Sequence, residues 1–272
     1  MNKNPLLGKL YDNNSMSAEL LPLPNLNSKI LRSNIENTPE YILLPFFNSN
    51  TGKTCGLKDF LINQKIPPLD SEETDILIII FHLYLTERKL DNLLYFNTDD
   101  ILILRGIKKN KALKNGFSGY KKEVRKRIDE KIKNLANHKI FTIANYKDFN
   151  FVLCFNDKYI ENIAFTGAIS QKLLSLNPVS KSWHKAIGIF LSELKSNTKT
   201  NINSIQIKKL LNTVNTGKLF PFQIRNRLET TLDELFQMNI IKGWQYKNID
   251  ENKLNSKNWL FFWQQLSIKI FL

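Results

Sequence analysis

The sequence predicts an α+β chain, mainly helical, arranged as two tandem winged helix-turn-helix domains behind an N-terminal arm. Three observations predict it. A basic amphipathic helix from Gly119 to His138 is followed by two alternating strands, and a helix with the same apolar spacing returns 100 residues later. The first 69 residues hold most of the chain's nine prolines and little sustained periodicity. The expected division is an arm over 1–69, partly disordered, domains over 70–156 and 181–272, and a connector over 157–180.

A chain of 272 residues with 42% hydrophobic content has material for about two domains of roughly 100 residues each. A formal net charge of +14 and a pI near 9.6 point to nucleic acid ahead of an anionic membrane surface. The excess is focused. Twelve Lys/Arg against three Asp/Glu lie between Arg105 and Lys133, which scattered lysines from a biased composition do not explain. Cys55 and Cys154 fit no metal or redox spacing. Met1-Asn-Lys-Asn leads into polar sequence, and the apolar run Ile76 to Phe81 is too short to span a bilayer. A soluble, cytoplasmic protein with no membrane partner is expected.

Within the arm, Thr51-Gly-Lys-Thr54 resembles the end of a P-loop, but Phe47 stands where the first glycine is required and no strong strand is expected before it. Asp70-Ser-Glu-Glu73 reads as a capping box opening a helix through Ile76 to Leu85. Leu93 to Phe96 reads as a strand. Thr98-Asp-Asp opens a brief helix, Ile101 to Arg105, that Gly106 ends. A turn carrying Lys108, Lys109, Lys111 and Lys114 leads into the basic helix. There Tyr120, Val124, Ile128, Ile132 and Leu135 form one stripe; Lys122, Lys126 and Lys133 project opposite, with Arg125 and Arg127 on its flanks. Ile140 to Ala144 and Phe151 to Phe155 read as strands joined by a turn over Tyr146 to Asn150.

After a turn at Asn177-Pro178 the pattern returns: Trp183 to Leu194 is an amphipathic helix, Asn201-Ile202 a strand and Ser204 to Leu211 a short helix. Pro221 suits the first position of a helix with the stripe Ile224, Leu228, Leu232 and Leu235. Ile240 to Tyr246 and the aromatic stretch Trp259 to Trp263 read as its two strands. Val124-Arg-Lys-Arg-Ile128 aligns without gaps on Ile224-Arg-Asn-Arg-Leu228, Ile132 on Leu232, Leu135 on Leu235 and Ile140 on Ile240, an internal duplication.

His82, His138 and His184 are isolated in sequence and form no metal pattern. Asp99-Asp100 at a helix start reads as capping. No hydrolase, kinase or dinucleotide signature is present, so neither catalysis nor a cofactor is expected. The expected DNA-binding set is Lys108, Lys109, Lys111, Lys114, Lys121, Lys122, Arg125, Lys126, Arg127 and Lys133, with Gln223, Arg225, Asn226 and Arg227. The lysines would neutralise phosphates; Gln223 and Asn226 suit adenine, and Arg225 and Arg227 suit guanine or phosphate. The terminal aromatics read as core and wing packing.

A tandem pair of such units around Val124-Arg-Lys-Arg-Ile128 and Ile224-Arg-Asn-Arg-Leu228 resembles the replication initiator proteins of iteron-containing plasmids, over about residues 70 to 272. The resemblance implies binding to repeated duplex sites at an origin, strand opening, recruitment of a host helicase and a monomer–homodimer switch. Its recognition helices would be Tyr120 to His138 and Pro221 to Asn239. A repressor with the same wings, a protein adaptor and a single-strand or RNA binder are the rival readings.

Overall fold

A computed structural model describes residues 7–10, 19–22, 39–49, 54–86, 93–107, 122–197, 202–247 and 258–272. These fall into two units, Met1–Gly167 and Ala168–Leu272. The architecture is α+β, helices combined with sheets of five, three and three strands.

In unit 1, β1 (Leu7–Leu10) and β2 (Glu19–Pro22) pair antiparallel. Strand β3 (Tyr41–Asn48) buries Ile42, Leu44, Phe46 and Phe47, pairs with β4 (Thr54–Cys55) and leads into α1 (Leu57–Asn63). Phe47 stacks on Phe60 of α1 at 4.0 Å between centroids and meets Phe81 edge-on at 5.7 Å. The expected arm is therefore corrected over residues 39–49 and 54–69: short apolar clusters without period are core when each is one buried strand or turn.

Helix α2 (Ser71–Thr86) starts as expected. Asp70 Oδ1 accepts from the Glu72 and Glu73 amides at 2.8 Å each, and Glu73 accepts from the Asp70 amide at 3.0 Å. Every residue from Asp75 to Tyr84 is buried, which makes α2 the central helix of the unit. Strand β5 (Leu94–Asn97) and α3 (Thr98–Leu104) follow, with Asn97 and Asp100 bonding reciprocally at the cap and Gly106, φ +74°, ending it. Helix α4 (Lys122–Ala136) buries Ile128, Ile132 and Leu135. Strands β6 (Phe141–Lys147) and β7 (Asn150–Phe155) are joined by Asp148 and Phe149, both at positive φ as a two-residue hairpin turn demands. The sheet runs β2-β1-β6-β7-β5.

The expected connector is structured: α5 (Asp157–Ile160), then β8 (Ile163–Ser170) beside β3, where Phe165 stacks on Phe46 at 4.6 Å. Unit 2 continues with α6 (Gln171–Ser175), the Asn177 turn, α7 (Ser182–Asn197), β9 (Ile202–Gln206), α8 (Ile207–Leu211) and α9 (Pro221–Gln237). Asn239 at φ +59° closes α9, with the Ile240 amide donating to the Leu235 carbonyl at 2.9 Å. Then come β10 (Gly243–Lys247), α10 (Trp259–Gln265) and β11 (Ser267–Phe271), in sheet order β10-β11-β9.

Trp259 to Trp263 is thus helix, not strand. Aromatic residues favour strands, but Trp259 and Trp263 are spaced to share one helix face, and α10 packs on α8 with Trp263 buried. The strand is the alternating Ser267-Ile-Lys-Ile-Phe271, with Ile268 and Ile270 buried.

Each unit contains the run helix, strand, helix, helix, strand, strand, as α2-β5-α3-α4-β6-β7 and as α7-β9-α8-α9-β10-β11, with α10 inserted between the last two strands of unit 2. In each, the last strand lies between the other two, as β5-β7-β6 and as β9-β11-β10. The matched pairs Ile128/Leu228, Ile132/Leu232 and Leu135/Leu235 are all fully buried. The register slips after them. Ile241, not Ile240, is the buried residue corresponding to Ile140, because α9 runs one residue further than α4 in the aligned numbering.

Candidate nucleic-acid interface

Helix α4 turns its charged residues in three directions. Arg125, on one flank, pairs with Asp99 of α3 at 3.2 Å and lies over the Phe149 ring at 4.1 Å, holding the hairpin tip against the helices. The Phe149 carbonyl accepts from the Thr98 amide at 2.9 Å. Arg127, on the other flank, pairs with Glu72 of α2 at 3.1 Å, and Lys131 pairs with Asp70. Lys133 meets the buried Asp129 at 2.7 Å and stands over the Tyr146 ring at 5.3 Å. Lys122 and Lys126 remain on the outer face, exposed and without a carboxylate partner among the described residues. Lys108, Lys109, Lys111, Lys114 and Lys121 lie outside the described residues.

Sequence reasoning missed the buried centre of this network. Arg105, just past α3, is 2% exposed and pairs with Glu72 at 2.6 Å and Asp75 at 3.4 Å, both on α2. Burial pushes the Glu72 carboxyl up, but the hydrogen bond and charge of Arg105, with Arg127 beside it, outweigh that and hold it below the ordinary glutamate value. The readable signal was three charges set in apolar runs: Glu72 and Asp75 at the head of Ile76 to Leu85, and Arg105 after Ile101 to Leu104. Of the seven described cations between Arg105 and Lys133, five are therefore matched by acids, mostly from outside that stretch. The local excess in sequence overstates the exposed charge.

Helix α9 repeats the flanking pattern with other partners. Arg225 bonds Glu229 at 2.9 Å; Glu229 accepts from the Tyr246 hydroxyl of β10 at 2.5 Å; that hydroxyl accepts from the Trp263 indole at 3.0 Å. Burial, reinforced by the bond to Glu229, leaves the Tyr246 pKa pushed up to about 12. Arg227 is exposed but lies over the Trp183 ring of α7 at 5.0 Å. Gln223 accepts from the Phe220 amide at 2.9 Å, a capping role. Asn226 is exposed. So the matched arginines act first as internal ties, and Asn226 with Gln223 make the polar outer face.

His82 is buried and accepts from the Leu43 amide at 3.1 Å, and burial lowers its pKa. His184 lies 2.8 Å from Glu234, with burial outweighing the pull of that carboxylate. No group of metal-ligating residues occurs among the described residues. Strand β3 does precede Thr51, contrary to expectation, because its Pro45 and broken alternation disguise it. Thr51 to Lys53 lie outside the described residues, and Thr54 pairs in strand with Asn48 where a P-loop would begin a helix. Among the described residues no helix is long and apolar enough to cross a membrane. No protein-family model matches the chain, and no curated protein is significantly similar to it in sequence.

Proposed function

We propose that each unit is a winged helix-turn-helix, with α4 and α9 as recognition helices and the β6–β7 and β10–β11 pairs as wings, and that the chain is a sequence-specific duplex-DNA-binding protein without catalytic activity. The observation that carries the reading is the shared order of elements and strands in the two units, each with one long helix whose outer face is left open. Lys122 and Lys126, with the basic segment Lys108 to Lys121, bind phosphates and set affinity; Asn226 and Gln223 approach base edges and set preference. Two readers in one chain raise the effective concentration of the second contact. The particular role that fits tandem readers is replication initiation at repeated origin sites of a plasmid-type element, in the cytoplasm, with a host helicase as partner and a homodimer as the repressing form.

The test is selection of bound fragments from a random duplex library, supplemented with DNA flanking the gene, over a salt series. Direct repeats near the gene are the expected result. A single palindrome at the promoter would replace the initiator by a repressor. No retention of duplex at low salt would overturn DNA binding and bring the protein adaptor forward.

A further inference from the structure

The two long helices have the same interior and opposite exteriors. Where α4 presents Lys122, Lys126 and Lys133, α9 presents Phe222, Asn226 and Asp233 at the same offsets. Phe222 is 58% exposed, and Phe220, immediately before the helix, is 65% exposed. Their rings are parallel within 7° with centroids 6.3 Å apart, an offset-stacked pair in which each residue stays more than half exposed. Their backbone is preset: Pro221 between them has a fixed φ, and the Phe220 amide is held by Gln223. Asn226 follows Phe222 by one turn on the same exposed face, placing an amide that both donates and accepts beside the rings. Exposed Lys218, two residues earlier, is a cation for one backbone phosphate.

Rigid open aromatic faces with an adjacent amide and little positive charge are poorly suited to duplex phosphates. They suit the flat face and polar edge of a base that is not paired. We propose that Phe220 and Phe222 form a stacking platform for unpaired nucleobases beside the base-reading face of α9, so that unit 2 holds single strand in addition to reading duplex. This rests on the nucleic-acid reading above and assigns a ligand to one face of it.

The test uses the full chain with a labelled oligothymidylate carrying one 2-aminopurine, and a duplex of equal length. Wild type should bind both, and the 2-aminopurine fluorescence should be quenched on binding. Phe220→Ala with Phe222→Ala should weaken single-strand binding about tenfold or more and abolish the quench, while duplex affinity changes less than about twofold. Phe222→Trp should retain binding, and an unchanged unfolding midpoint in the double variant shows that the fold is intact. An oligouridylate bound with the same loss in the variant supports stacking and extends the ligand to RNA. Single-strand binding unchanged in the variant, or equal losses on both probes, overturns the platform. Wild type that holds duplex but no single strand overturns this inference alone; wild type that holds neither overturns the DNA reading with it.

Discussion

Helices α4 and α9 are buried through the same three positions, yet differ in what they show to solvent: lysines on α4, phenylalanine and asparagine on α9. Their flanking arginines differ in partner while keeping their place. Arg125 and Arg225 both face the hairpin side, through Phe149 in one unit and Glu229–Tyr246 in the other; Arg127 and Arg227 both face the first helix, through Glu72 and Trp183. The comparison teaches that close packing constrains the inner face of such a helix, while its outer face is free to vary in charge and polarity.

The largest expected effect concerns the buried cluster of Arg105, Glu72 and Asp75 in unit 1. Arg105→Ala should destabilise the protein by about 3–5 kcal/mol, because Glu72 and Asp75 are left buried beside it. Arg227→Ala, at an exposed cation–π contact, should cost at most about 1 kcal/mol. Denaturant unfolding reads both, and similar losses would break the distinction between the units.

Ile132→Ala and Leu232→Ala test the shared interior. Each deletes a fully buried side chain and should cost about 2–5 kcal/mol by the same measurement. A small loss in one alone would mean that the two cores are not equivalent.

The exteriors should separate in binding. Lys122→Glu with Lys126→Glu should weaken every duplex alike and make the salt dependence shallower by about two phosphate contacts. Asn226→Ala should cost about 1–3 kcal/mol on the selected site and little on random DNA. Equal losses on both would remove its base-reading role.

The smallest effect is a pH dependence. His82 has its pKa lowered by burial from the ordinary 6.5, so the unfolded chain binds more protons just below that value. Its contribution to stability is complete above about 6.5 and is lost as pH falls through that value towards the folded pKa. His184, lowered by burial in unit 2, acts with the same sign, whereas Glu72 responds only at more acid pH. His82→Gln, whose amide oxygen still accepts from Leu43, should flatten unit 1's share of the slope in thermal unfolding between about pH 7 and about pH 5.5.

Much of the local structure was readable because its causes are local. The Asp70–Glu73 box, the Gly106 stop, Pro221 at the helix start and the stripes of α4 and α9 act within one or two turns of chain. Strand β3 and helix α10 do not show their type in sequence: β3 is buried on both faces and so lacks alternation, and α10 is seven residues of mostly aromatic sequence, too short to display a helical period. The site divided in the same way. Helical geometry alone turns Lys122, Lys126 and Asn226 outward, but it does not reveal that Arg125 and Arg127 are paired with carboxylates of other helices.

Sequence alone thus determined the run of elements from α2 to β7 and from α7 to β10, the helix limits set by caps and the matched stripes of α4 and α9, because periodicity and capping depend on near neighbours in the chain. Only the tertiary structure decided which charges remain available. Arg105 meets Glu72 across 33 residues and Arg127 meets it across 55, and whether a cation is neutralised depends on a separation of a few ångströms that chain distance does not encode.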